Sequence, residues 1–239
     1  MTRRRWIADE VSGDTAALVG EHAAHLARVL RAEIGQEFDI ATGAEVRLGT
    51  ITSISDDRVE FSLGKERPLK PFPKITLALA IFKFDRMEWA IEKCTELGVA
   101  RIVPVISRRT DTHLATASAK RAERWLRIAR QAAEQSRRAA PPEIAAPARL
   151  AEVLNPPGSF RVVLAESEEQ TLLRDLLKSN VSASEIMLAV GPEGGWTEDE
   201  LQSFQHAGWI SASLGNTILR AETAAIAATA VVVSALSSF

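Results

Sequence analysis

Residues 75–82 read ITLALAIF, apolar almost without a break. A strand with one wet face alternates between apolar and polar residues. A continuous apolar run belongs to a strand buried on both faces, which is found where helices cover both sides of a parallel sheet. The chain beyond keeps that rhythm. Further strands are expected at 102–106, 162–165, 186–190 and 209–214, and helices near 85–97, 118–138, 171–179, 197–207 and 221–236. Asp85-Arg86-Met87-Glu88 has the pattern of a capping box opening the first helix. Met87, Ile91, Cys94 and Leu97 form its apolar stripe, and Gly98 stops it. Alternating strands and helices of this kind predict an α/β fold.

The first part of the chain reads differently. Segments 38–43, 46–51 and 59–63 alternate or nearly so, which predicts short strands. One helix is expected over about 21–31. Three prolines then fall within residues 66–74, ERPLKPFPK, and predict a stiff extended connection. The expected division is a β domain at 1–67, a linker at 68–74 and an α/β domain at 75–239.

Composition narrows the chemistry. The single cysteine, Cys94, excludes an internal disulfide framework, and it falls on a helix stripe where packing is its expected role. His22, His25, His113 and His206 have no spacing that suggests a ligand set, so no metal is expected. No apolar run of about 18 residues precedes the last helix, no membrane partner is expected, and the cytoplasm is the default compartment. Net charge is −2, but it is unevenly spread. Residues 118–150 hold eight Lys or Arg against three Glu, whereas residues 165–205 hold nine acids against two bases. A near-neutral total therefore hides a basic stretch.

That stretch is a helix about 30 Å long at 1.5 Å per residue. Lys120, Arg124, Arg127, Gln131 and Arg138 share one sector of it, opposite Ala122, Trp125, Ala129, Ala132 and Ala133. A solvated charged face is the plain reading of such a helix. The excess of one sign points instead to phosphates. Arg28 and Arg31 on the first-domain helix, with Arg3, Arg4 and Arg5, offer a second basic surface.

The sequence VGPEGGWTEDE at 190–200 leaves an apolar strand and enters a helix at once, with Thr197 and Glu200 as a capping box. Gly191, Gly194 and Gly195 are expected to take positive φ and to admit a ligand close to the main chain. In open α/β sheets ligands bind at such strand ends. The loop lacks the Gly-Lys-Ser/Thr of a phosphate loop and the GxGxxG of a dinucleotide loop. Its acids Glu193, Glu198, Asp199 and Glu200 favour a neutral or cationic ligand. A second loop, LGNTILRAET at 214–223, again joins a strand end to a helix. Two such loops predict one composite pocket.

GPEGG at 191–195, followed by LG, ILR and ETA within 214–224, resembles the RsmE-type methyltransferases, which methylate N3 of a uridine in small-subunit (16S) ribosomal RNA. The resemblance continues through KCTELGV at 93–99, EQSRR at 134–138, PEI at 142–144 and RVLR at 28–31. It implies a SPOUT-type parallel sheet with a C-terminal trefoil knot and a PUA-like N-terminal β-barrel. It also implies S-adenosylmethionine as cofactor, a homodimer, and 16S rRNA or the small ribosomal subunit as partner. Carried over residue by residue, the cofactor site comprises Leu164, Ala165, Glu166, Val190, Gly191, Pro192, Glu193, Gly194, Leu214, Gly215, Ile218, Leu219, Arg220 and Thr223. Arg220 and Glu222 are the catalytic candidates, Arg220 to stabilise the developing N3 anion or meet a phosphate, Glu222 to orient it or act as base. The family commonly has Pro-Arg where this chain has Asn216-Thr217, which removes a cation from that point. Trp6, Trp89, Trp125, Trp196 and Trp209 are expected in the core. The helix at 221–236 is apolar nearly all round, which suits a core or a dimer seam. Two other functions stay open on the same residues: a ribose 2′-O-methyltransferase of the same superfamily, and a non-catalytic RNA-binding ribosome assembly factor.

Overall fold

The computed structural model describes residues 5–43, 45–67, 74–155, 160–178 and 185–236. The chain divides into two compact units, Met1–Pro71 with Ala133–Pro141, and Phe72–Ala132 with Pro142–Phe239. Most of the stretch expected as a linker, residues 68–73, lies outside the described residues, as do Arg3 and Arg4.

The first unit is built from β1 (Arg5–Ile7), β2 (Glu10–Ser12), β3 (Thr15–Val19), α1 (Glu21–Ala24), β4 (Glu37–Ala41), β5 (Val46–Ile54) and β6 (Arg58–Arg67). Its six strands pair in the order β1-β4-β5-β6-β3-β2, antiparallel except for β1 on β4. Leu18, Leu26, Ile40, Ile51, Val59 and Phe61 fill its core. The expected helix over 21–31 is shorter and irregular. After α1 the chain widens into a π-turn over His25–Val29, closed by the Leu30 N–H on the His25 carbonyl at 3.1 Å. The turn carries Leu26 into the core and leaves Arg28 outside. Residues 133–141 join this unit because Ala133 and Ala139 pack with Ile7, Ala41 and Val46.

The second unit comprises β7 (Lys74–Ala80), α2 (Phe84–Glu96), β8 (Arg101–Ile106), α3 (Thr112–Gln135, whose last turn folds with the first unit), β9 (Glu143–Ile144), β10 (Ala148–Arg149), α4 (Leu150–Val153), β11 (Phe160–Leu164), α5 (Leu173–Lys178), β12 (Glu185–Val190), α6 (Glu198–His206), β13 (Ile210–Ala212) and α7 (Ala221–Leu236). Its strands are all parallel, in the order β10-β8-β7-β12-β11-β13, with β9 beside β8. The chain is thus of α/β class with a parallel sheet. Alternation along β7 sends Ile75, Leu77 and Leu79 to one face and Ala78 and Ala80 to the other. The larger side chains meet α2, α3, α5 and α7. The small ones meet α4, α6 and the rings of Trp196, Phe204 and Trp209.

Several local expectations are corrected. The N-cap of α2 is Lys83, without a side-chain cap, so Asp85 to Glu88 is not a capping box. Glu88 is instead drawn to Arg124 at 2.7 Å and Arg121 at 3.4 Å on α3. Trp89 is 49% exposed rather than buried. Cys94 is buried with the Thr229 hydroxyl 3.6 Å from its sulfur, and desolvation pushes its thiol up to about 12. No described helix is long and apolar enough to cross a membrane.

Candidate active site

Three chain segments at the C-terminal ends of neighbouring parallel strands meet around one cavity of about 620 Å³. The chain leaving β12 gives Val190 to Trp196, and the chain leaving β13 gives Ser213 to Leu219. The third wall is Leu164 to Glu169, which follows β11. Backbone hydrogen bonds tie the last two together. The Ala165 N–H donates to the Ala212 carbonyl at 3.1 Å, and the Ser213 N–H donates to the Thr171 carbonyl at 2.9 Å.

The glycines of the first loop serve two purposes. Gly195 has φ 69°, and its N–H donates to the Pro192 carbonyl at 2.8 Å, closing a tight turn. Gly191 and Gly194 do not take positive φ, contrary to expectation. Space explains them: a Cβ on Gly191 would lie 3.3 Å from the Trp196 backbone nitrogen, and one on Gly194 3.3 Å from the Arg109 Cδ. The loop then enters α6 through a capping box, with the Glu200 N–H on the Thr197 hydroxyl and the Thr197 N–H on the Glu200 carboxylate at 2.8 Å.

Arg109 was not legible as a site residue. It follows β8, lines the cavity, and its guanidinium donates to the carbonyls of Gly194 and Trp196. Arg86 was missed as well. Its Nη1 lies 3.3 Å from Glu222 and 3.8 Å from Glu193. Glu222 is buried and binds Arg86, not Arg220 as expected. Glu168 accepts the N–H groups of Thr171 and Gln170 at 2.8 and 2.9 Å, and these bonds hold its carboxyl below the usual carboxylate range.

Of the expected cofactor residues, Leu164, Ala165, Glu166, Val190, Gly191, Pro192, Glu193, Gly194, Leu214, Gly215, Ile218 and Leu219 line the cavity together. Arg220 and Thr223 do not; both are exposed, and the Arg220 side chain has no ion-pair or hydrogen-bond partner among the described residues. Ile218, at 79% exposure, is the most exposed large apolar side chain among the described residues and also borders the cavity.

The basic residues separate into three groups. On α3, Lys120 and Arg127 are exposed without an ion-pair partner among the described residues, and Arg124 is held by Glu88. Arg138 falls beyond the end of α3, where burial pushes its guanidinium down to about 10, so it does not share the helix sector. In the first unit Arg28 pairs with Asp56 at 3.2 Å, Arg31 is exposed, and Arg5 donates to the Arg137 carbonyl.

Residues 68–233 match the family model of an RNA methyltransferase domain. The chain is 35% identical to the ribosomal RNA small subunit methyltransferase E of Rickettsia conorii, over 89% of this chain and 87% of the relative. It is 32% identical to the protein of the same name from Synechocystis, over 96% of this chain and 76% of the relative. Among solved structures it is similar to the Neisseria gonorrhoeae ribosomal RNA small subunit methyltransferase E bound to S-adenosyl methionine. That match has TM-score 0.84 and 31% identity and covers 96% of each chain. A Legionella pneumophila methyltransferase in complex with the same cofactor matches at TM-score 0.85 and 28% identity over 98% of each chain.

Proposed function

The chain belongs to the ribosomal RNA small subunit methyltransferase E family, and on that premise we propose that it transfers the methyl group of S-adenosylmethionine to N3 of a uridine in small-subunit (16S) ribosomal RNA. The observation that carries this reading is the cavity itself, in which three strand-end segments converge where an α/β sheet binds its ligand.

The residues present fit the cofactor. Gly191 and Gly194 keep the loop bare where a Cβ would crowd Trp196 and Arg109, so main-chain groups face the cavity unscreened. Leu164, Val190, Leu214, Ile218 and Leu219 supply apolar surface for a flat ring. Glu166, Glu168, Glu169 and Glu193 bring negative charge to a site for a sulfonium cation, against the single lining cation Arg109 among the described residues. When bound, the cofactor supplies an electrophilic methyl carbon for an in-line displacement.

The protein's part is to hold the acceptor base in line and to stabilise its charge, and positioning alone supplies several kcal/mol of barrier reduction. Loss of the N3 proton to solvent leaves an anionic uracil, whose nitrogen takes the methyl group as the methyl–sulfur bond of the sulfonium breaks. Arg220, exposed and unpaired between the cavity residues Leu219 and Ala221, is the cation assigned to that anion. Its exposure suits contact with RNA better than contact with the cofactor. Glu222 is spent on Arg86 and is not assigned as base.

The finer architecture belongs to the same reading. The β12-β11-β13 order ahead of α7 supports a trefoil-knotted C-terminal region, and the six-stranded sheet supports a PUA-like barrel that meets RNA. We assign the domain division, the homodimer and a cytoplasmic site of action on the family's pattern. Lys120, Arg124, Arg127, Arg28 and Arg31 are the proposed RNA contacts. The decisive experiment maps modified nucleosides in 16S rRNA from cells lacking the protein. Absence of one methylated uridine, restored by the wild-type gene, supports the reading; an unchanged map ends it. Arg220→Ala, with cofactor binding and turnover measured separately, tests the assigned residue. Binding should persist while turnover falls at least about tenfold, and unchanged turnover would remove Arg220 from the mechanism.

A further inference from the structure

Arg86 lies on α2, outside the cavity, yet it touches the loop after β12 and the first turn of α7, which follows the loop after β13. Its Nη1 donates to Glu222 Oε1 at 3.3 Å and sits 3.8 Å from Glu193 Oε1. Glu193 is the third residue of the loop after β12 and lines the cavity. Glu222 is in the first turn of α7, three residues after the cavity-lining Leu219. Its side chain is only 4% exposed, and its Oε2 is buried with no hydrogen-bond partner.

We propose that Arg86 is the positioning residue of the methyl-donor site, a guanidinium that fixes the loop at 191–195 against the start of α7 and so sets the width of the cavity from behind. The inference rests on the methyltransferase reading and deepens it. Three physical points carry it. A buried carboxylate needs a cation, and Glu222 has one hydrogen-bonded oxygen and one orphan, so Arg86 is its charge compensation among the described residues. That burial anchors the guanidinium to α7. The same nitrogen then holds Glu193, and with it the adjoining backbone of Pro192 and Gly194, at ion-pair distance. Without Arg86 the carboxylate of Glu193 in the loop and that of Glu222 in α7 would both be left unneutralised, and the loop would lose its tie to α7.

Arg and Lys differ here in a useful way. Both carboxylates are reached by Nη1 of Arg86, which the planar guanidinium holds between them, whereas the ammonium of a lysine sits on a shorter, flexible stem as a point charge free to settle on Glu222 alone. Arg86→Lys should therefore keep Glu222 compensated and the fold intact while loosening the hold on Glu193. Arg86→Met alone would leave Glu222 as an unpaired buried charge, so it is combined with Glu222→Gln, which removes both charges together.

The test uses the full chain. Calorimetry first measures S-adenosylmethionine binding to the wild type, and no binding there would end the methyltransferase reading and this inference with it, whereas the variants below can overturn this inference alone. With binding present, KM for the cofactor and kcat are measured for Arg86→Lys, Glu193→Gln and the double variant. Expected are a rise in cofactor KM of about tenfold for Arg86→Lys with kcat within about twofold, and a double variant no worse than the poorer single, because both act through one contact. The Arg86→Met, Glu222→Gln protein should show the same KM rise. A wild-type KM in Arg86→Lys and in Arg86→Met, Glu222→Gln, or strictly additive effects with Glu193→Gln, would overturn the assignment.

Discussion

The carboxylate of Glu200 joins two loops: one oxygen accepts the Thr197 N–H and the other accepts the Arg108 N–H, each at 2.8 Å. The first bond closes the capping box of α6. The second fixes the chain after β8, and the next residue, Arg109, reaches the Gly194 and Trp196 carbonyls. A helix cap thus also places a cavity-lining arginine.

Glu200→Ala should damage both. Glu200 is 3% exposed and accepts two part-buried backbone N–H groups, so its loss leaves both without their protein acceptor. Each unsatisfied donor costs about 1–3 kcal/mol. For a chain of this size that amounts to a fall in Tm on the order of 10 °C, since each kcal/mol shifts Tm by roughly 2–4 °C. Thermal unfolding without ligand checks the stability, and a cofactor titration checks the loop. A Tm within about 2 °C of wild type would contradict the linkage described.

Much of this site could be seen in the sequence, for a physical reason. Strand-end loops announce themselves locally: an apolar run, glycines, then a helix-start signal, all within a dozen residues. The segments 190–196 and 214–219 therefore fell into place, as did the Thr197 and Glu200 cap. Arg86 and Arg109 did not, because their partners lie 136 and 85 positions away and no local pattern points either arginine at them. Glu88 shows the reverse error. Its spacing from Asp85 imitated a cap, but two arginines of α3 claim it. The two-residue strands β9 and β10 are too short to show any period. The reading of Gly191 and Gly194 as positive-φ residues failed because what excludes a side chain there is Trp196 and Arg109, and crowding across a loop leaves no local signature.

That crowding makes the two glycines unequal. At Gly191 an added methyl meets the Trp196 backbone nitrogen and its indole, both at 3.3 Å, and Trp196 is buried against Phe204. At Gly194 it meets only the aliphatic stem of Arg109, which needs to give by only a few tenths of an ångström while its guanidinium keeps its carbonyl partners. Gly191→Ala should therefore lower Tm by more than Gly194→Ala, by about 1–3 kcal/mol of overpacking against a few tenths. Equal Tm values for the two variants would show that Trp196 yields as freely as the arginine.

Acid should loosen the third wall. Glu168 ionises below the ordinary carboxylate range because it accepts two backbone N–H groups of its own loop. A depressed pKa in the folded state means a stabilising contribution that is complete above the unfolded carboxylate's pKa. It is lost as pH falls through the folded value. Unfolding measured from neutral pH downward should thus show a steeper loss for wild type than for Glu168→Gln. Parallel curves would mean that the two hydrogen bonds do not favour the ionised form.

The basic face of α3 yields a prediction that separates contact from decoration. Lys120 and Arg127 are exposed and unpaired among the described residues, whereas Arg124 already has Glu88 at 2.7 Å. A cation already neutralised by a carboxylate displaces fewer counterions from a phosphate backbone than a free one. Each phosphate contact contributes about 0.7–0.9 to the slope of log K against log salt. Lys120→Ala and Arg127→Ala should each lower that slope by about this amount, uniformly across RNA sequences, since backbone contacts position without reading bases. Arg124→Ala should lower it less, because Arg124 is already neutralised by Glu88, which Arg121 at 3.4 Å continues to hold when Arg124 is gone. The measurement is filter binding or fluorescence anisotropy with 16S rRNA fragments over a salt series. If all three variants keep the wild-type slope, α3 is a solvated face and the phosphates lie elsewhere.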